Sequence, residues 1–104
     1  MKTFTRFALA LILTGLQPSM AAEIRTSEIG RALFESTQLG KSGRSCTACH
    51  PEGKGLDKVG DFSDNELKDI INACVRDALQ GTPFAGDSQE LNALMLHVRR
   101  FQGK

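Results

Sequence analysis

Residues 46–50 read CTACH, and the fold of the chain turns on what that pentapeptide has to hold. Its two thiols, Cys46 and Cys49, lie about one helical turn apart, and the imidazole of His50 follows at once. C-x-x-C-H is the spacing by which a haem is attached covalently: each thiol adds to a vinyl group at the ring edge while the neighbouring imidazole reaches the iron from below. Cys46 and Cys49 are therefore read as thioether anchors, and His50 as the proximal ligand, of one covalently attached haem c. A dithiol redox pair would be expected beside a βαβ pattern, and a zinc site would need a second Cys/His pair. The sequence supplies neither.

Upstream of the motif, the first residues indicate a compartment. Lys2 and Arg6 precede an apolar run from Phe7 to Leu16 that only Thr14 and Gly15 interrupt, and QPSMAA at 17–22 ends in small residues. This is the pattern of a secretory signal peptide over residues 1–22, cut after Ala21 or Ala22. The run is too short to cross a hydrocarbon core of about 30 Å as a helix, so no permanent membrane anchor is expected. Because c-type haem is attached outside the bacterial cytoplasm, the exported protein is expected to be periplasmic.

Residues 23–104 then make one small haem domain, marginal for a purely hydrophobic core and in need of a staple. Loss of Lys2 and Arg6 leaves 11 basic against 12 acidic residues, a net charge of −1 that does not suggest a nucleic-acid partner. Tryptophan and tyrosine are absent, and the aromatics of this segment are Phe34, Phe62, Phe84 and Phe101. A large flat cofactor would supply the missing core.

Hydrophobic spacing predicts helices joined by loops, an all-α domain. Ser27 to Thr37 reads as a helix capped by Thr26, with Ile29, Leu33 and Phe34 on one face and Gly30 admitting another backbone. Residues 38–61 read as loop with one helical turn around the motif. SDNE at 63–66 is a capping box opening a helix whose stripe is Leu67, Ile70, Ile71, Cys74, Ala78 and Leu79, stopped by Gly81 and Pro83. A last helix from about Ser88, capped by Asp87, carries Leu91, Leu94, Met95, Val98 and Phe101.

GRALF at 30–34, CTACH and the C-terminal amphipathic helix together resemble a class I cytochrome c. That resemblance implies about four short helices around one covalent haem, with the first and last helices crossing beside the haem edge. In such domains a proline after the motif commonly supplies the carbonyl that orients the proximal imidazole. This chain has no proline between Pro51 and Pro83.

A six-coordinate iron needs a second axial ligand, and Cys74, Met95 and His97 are the candidates. Met95 falls inside the last helix on its packing stripe, and His97 lies at that stripe's edge beside Arg99 and Arg100, where a surface histidine is the plain reading. Cys74 sits in the middle of the apolar face of the helix after the motif. Mere packing as a small hydrophobe, or an intermolecular disulfide, would also account for a cysteine there. The segment from Ile71 to Val98 resembles the A subunit of the sulfur-oxidising SoxAX cytochromes, in Ile71, Asn72, Cys74, Ser88, Glu90, Ala93 and Leu94, and the resemblance implies an axial cysteine at Cys74. Similarity to small cysteine-ligated monohaem cytochromes of nitrogen-cycling bacteria implies the capacity to pair as a heterodimer with another small cytochrome. SoxA proteins carry a further catalytic cysteine; with only three cysteines, this chain is not expected to be a sulfur-transfer enzyme.

Two functions are compatible with these readings. One is low-potential electron transfer to a redox partner protein, with Lys41, Arg44, Lys54 and Lys58 placed to steer an acidic surface or, more plainly, to solvate a loop. The other is a module that binds NO or CO, or senses redox state, when the distal thiolate is displaced.

Overall fold

The structure, a computed structural model, describes residues 17–104. Four α-helices follow in order: α1 (Gln17–Glu35), α2 (Cys46–Cys49), α3 (Asp64–Ala73) and α4 (Gln89–Arg99). Among the described residues there is no β-strand, only a single antiparallel bridge between Gly40 and Gly81, so the domain is all-α as expected. No described helix is long and apolar enough to cross a membrane. Of the expected leader, residues 1–16 lie outside the described residues, and residues 17–22 open α1.

α1 begins well upstream of Ser27, the start that sequence spacing predicts, and ends earlier, at Glu35. Thr26 therefore does not cap it. Its hydroxyl donates to the Ala22 carbonyl at 2.9 Å, the back-bond of a threonine inside a helix. α4 is capped by Ser88 rather than Asp87: Ser88 is extended, and its hydroxyl accepts from the Leu91 amide at 3.1 Å. Where α1 and α4 cross, Gly30 is buried and a β-carbon there would coincide with the Ala93 carbonyl oxygen, so the two backbones touch.

That close approach corrects the expectation of a surface His97. α1 lies over it, leaving it 7% exposed, with its ring 5.0 Å from that of Phe34 and 5.5 Å from that of Phe101. Its Nδ1 is buried without a partner, and burial, followed by the Arg100 charge, pushes the imidazole pKa below its ordinary value.

α3 starts on the capping box read from the sequence. The Ser63 hydroxyl accepts from the Glu66 amide at 3.2 Å, and the Ser63 amide donates to the Glu66 carboxylate at 2.8 Å. Past Ala73 the helix widens into a π turn, Cys74–Ala78, closed by the Leu79 amide on the Cys74 carbonyl at 3.0 Å. Gln80, with φ of 60°, turns the chain out of the helix one residue before the expected Gly81.

Leu67, Ile71, Val75 and Leu79 pack with Phe34, Val59 and the α4 residues Leu91, Leu94, Met95 and Val98 as one core. Arg99 ties the end of α4 to the start of α3. Its guanidinium donates to the Val59 carbonyl at 3.1 Å, the Phe62 carbonyl at 2.8 Å and the Asp64 carboxylate at 2.8 Å.

Candidate functional site

The motif forms the single turn of α2, with Ser45 extended before it and the His50 amide donating to the Cys46 carbonyl at 2.9 Å. The backbone then reverses tightly through Pro51–Gly53. Glu52 and Gly53 take positive φ of 53° and 79°, and the Phe101 ring occupies the space where a Gly53 β-carbon would stand. The reversal brings the Lys54 carbonyl back to His50 Nδ1 at 2.8 Å. Lys54, through its main chain, is thus the group that orients the imidazole, in a stretch where no proline follows Pro51 until Pro83. With Nδ1 donating, the Nε2 lone pair is the one left for a metal.

Facing this turn is a cavity of about 330 Å³. Cys46, Cys49 and His50 line it from the α2 side, and Ile70, Ile71, Cys74 and Ala78 from α3 and its π turn. The loop between contributes Leu56, Val59 and Phe62, with Lys58 the one charged side chain in the lining. All four predicted site residues, Cys46, Cys49, His50 and Cys74, therefore border one largely apolar space, although Cys74 lies on a different element from the other three. Met95 does not: it is 1% exposed and locked in the core between helices. Nor does His97, which is held at the crossing of α1 and α4.

Cys74 differs from expectation in one respect. Its side chain is only partly covered by protein and stands exposed at the cavity wall. Leu67, Ile71, Val75 and Leu79, four residues apart, are buried in the core, all but Val75 also bordering the cavity, while Ile70, Cys74 and Ala78, at the same interval, line the cavity and are exposed. A four-residue interval drifts around an α-helix of 3.6 residues per turn, and the wider π turn offsets that drift.

The walls around the thiols are dry enough to disfavour charge. Burial, and next the Cys74 charge, pushes the Cys46 thiol up to about 11, and the Cys74 thiol is also raised, by burial first and then by Asp77 and Cys49. Bound metal would overcome this, since a coordinating thiol is deprotonated outright. Among the described residues no three His, Cys, Asp or Glu side chains converge on a single point. A bare ion such as zinc therefore fits poorly, whereas donors spread around an apolar cavity suit a broad ring that carries its metal at the centre.

Asn72 carries a role that sequence reading did not assign. Its side-chain amide donates to the Phe84 carbonyl at 2.8 Å and accepts from the Phe84 amide at 2.9 Å, clamping the loop after Pro83 onto α3. An Asn two positions before the cysteine was visible in the sequence, but its distant partner was not. No family model matches the chain, and neither a curated protein nor a solved structure matches it.

Proposed function

We propose that the chain is a periplasmic monohaem c-type cytochrome of class I-like fold, exported by residues 1–22. Cys46 and Cys49 would hold haem c by thioether bonds, with His50 and Cys74 as its axial ligands. The observation that carries this reading is the meeting of these four residues around one apolar cavity from which both Met95 and His97 are absent. When bound, the group supplies a one-electron Fe(III)/Fe(II) couple.

The chain's own residues set how that couple behaves. The Lys54 carbonyl fixes the His50 ring, and Cys74, as a thiolate, places a full negative charge that favours Fe(III) and so a low potential. Leu56, Val59, Ile70 and Ile71 give the cavity an apolar lining. Lys41, Arg44, Lys54 and Lys58 are all exposed, available to an acidic redox partner. The function read from this arrangement is electron carriage. A second reading, release of the thiol in the reduced state to admit NO or CO, draws on the raised pKa of Cys74, which favours its reprotonation.

Production of the chain with a haem-attachment system tests the reading. The protein should gain the mass of one haem, and its ferric form should be low-spin with thiolate-type charge-transfer absorption. Cys74→Ala should abolish that signature. Met95→Leu should leave it intact and cost under about 1.5 kcal/mol as a volume-conserving core change. If Met95→Leu removes the low-spin form and Cys74→Ala preserves it, the ligand assignment is wrong. Rapid CO capture by the ferrous protein would favour the second reading over simple transfer.

A further inference from the structure

The chain's three cysteines line a single cavity, and none is in a disulfide. They are not equivalent. Cys46 is half-buried against the hydrophobic core, whereas Cys49 and Cys74 are both exposed at the cavity, one on α2 and one at the π turn. A thiol reacts with an incoming disulfide only where that disulfide can reach it, so the accessible pair is Cys49 and Cys74 rather than the two cysteines of the motif.

We propose that in the haem-free chain Cys49 and Cys74 form a reversible disulfide with a small oxidant such as oxidised glutathione, and that Cys74 thereby withholds Cys49 from haem attachment until the bond is reduced. One of the two thiolates attacks a sulfur of oxidised glutathione, forming a mixed disulfide and expelling one glutathione thiolate. The second thiolate attacks the protein sulfur of that mixed disulfide, forming the Cys49–Cys74 bond and expelling the other. Two protein thiols are oxidised, one glutathione disulfide is reduced to two thiols, and the protein's two protons pass to the departing thiolates. The two thiols are near enough that the charge of Cys49 is felt at Cys74, and a disulfide, which needs its α-carbons within about 7 Å, would hold the π turn against α2. The lining beside the bond, Ile70 and Ala78 on one side and Leu56 on the other, is apolar.

The inference rests on the same cavity as the cytochrome reading, but the disulfide itself forms without haem, so the pairing and that reading can fail separately. The full chain, made without haem, is equilibrated in reduced and oxidised glutathione, trapped with iodoacetamide, digested with trypsin and read by mass spectrometry. The expected product joins the peptide Ser45–Lys54 to the peptide Asp69–Arg76, with Cys46 alkylated. It should outweigh the Cys46–Cys49 loop and disappear in Cys74→Ser. Under an oxidising glutathione ratio Cys74→Ser should also take up haem more completely than wild type when the attachment system is added. Finding instead only the Cys46–Cys49 loop, or glutathione left on Cys74, would overturn the proposal. So would the same product ratio in urea, where loop closure alone decides the pairing. Failure of the wild-type chain to gain haem under reducing conditions would count against the cytochrome reading and leave the thiol pair standing.

Discussion

His50 is oriented by a main-chain carbonyl that exists only because the four residues before it fold back on themselves. Glu52 and Gly53 both lie at positive φ, and Phe101 packs against the bare α-carbon of Gly53. Gly53→Ala would add strain at that φ and force the Phe101 ring aside, at a cost of about 2 kcal/mol or more. Its consequence should extend to the imidazole, because the Lys54 carbonyl moves with the turn. A lowered melting temperature together with a weakened proximal bond, read as exogenous imidazole binding to the ferric haem protein, is the expected pair of changes; normal ligation at unchanged stability would refute the account. At Cys74 the decisive property is charge. Cys74→Met replaces an anionic donor with a neutral thioether, and the midpoint potential measured by redox titration should rise, because the charge that favoured Fe(III) is gone. A potential equal to or below that of wild type would place the thiolate elsewhere than on the iron.

The helices show why sequence spacing reads some boundaries and misses others. Ser63 and Glu66 are three residues apart and their capping bonds are reciprocal and local, so the start of α3 is legible without any tertiary information. The π turn is not, since it follows from having to present one row of side chains to the core and another to the cavity, which are properties of the assembled molecule. Val75, 1% exposed, lies four residues from Ile71 and from Leu79, so helical spacing does reach it, although the stripe read from the sequence leaves it out. His97 was misplaced because its flanking arginines are polar and nothing local reveals that α1 lies over it. That burial has a measurable consequence. The folded imidazole has its pKa held below the ordinary 6.5 by burial and by Arg100 and Arg31, with Glu35 opposing. In the unfolded chain His97 regains the ordinary value and takes up its proton first as the pH falls. Its contribution is therefore complete above the unfolded pKa and lost as pH drops from there toward the depressed folded value. The urea midpoint should be lower at about pH 5.5 than at pH 7, and His97→Phe, which keeps a ring between Phe34 and Phe101, should reduce that difference. A difference as large in the variant would assign the pH dependence to other groups.

At the scale of the described domain, the core and the cavity share a wall, so a group that filled the cavity would be linked to the fold. Leu67, Ile71 and Leu79 belong to the buried cluster and also border the cavity, while Phe62 and Ile70 at its mouth remain 40% and 41% exposed. Arg99 holds the Val59–Asp64 segment that forms part of this wall, through bonds spanning 35 to 40 positions of sequence that no local pattern could announce. What was legible was the helical turn of CTACH and the apolar helix face that carries Cys74; what was not was the tertiary bracing that sets them around one space. A ring covering the exposed parts of Phe62 and Ile70 would remove apolar surface worth roughly 1 kcal/mol each, and contact with the remaining lining would add to that. Haem attachment should then stabilise the fold by on the order of a few kcal/mol, since a group bound to the native state alone shifts the unfolding equilibrium. Cys46→Ala with Cys49→Ala leaves the cavity walls intact apart from two sulfur atoms but removes both thioether bonds. Its urea midpoint should fall well below that of the haem-loaded chain, and added free haem should restore part of the loss through His50 and Cys74. Equal midpoints for the loaded chain and the double variant would mean that the protein core closes without the ring, and the cavity would then have no structural claim on a cofactor.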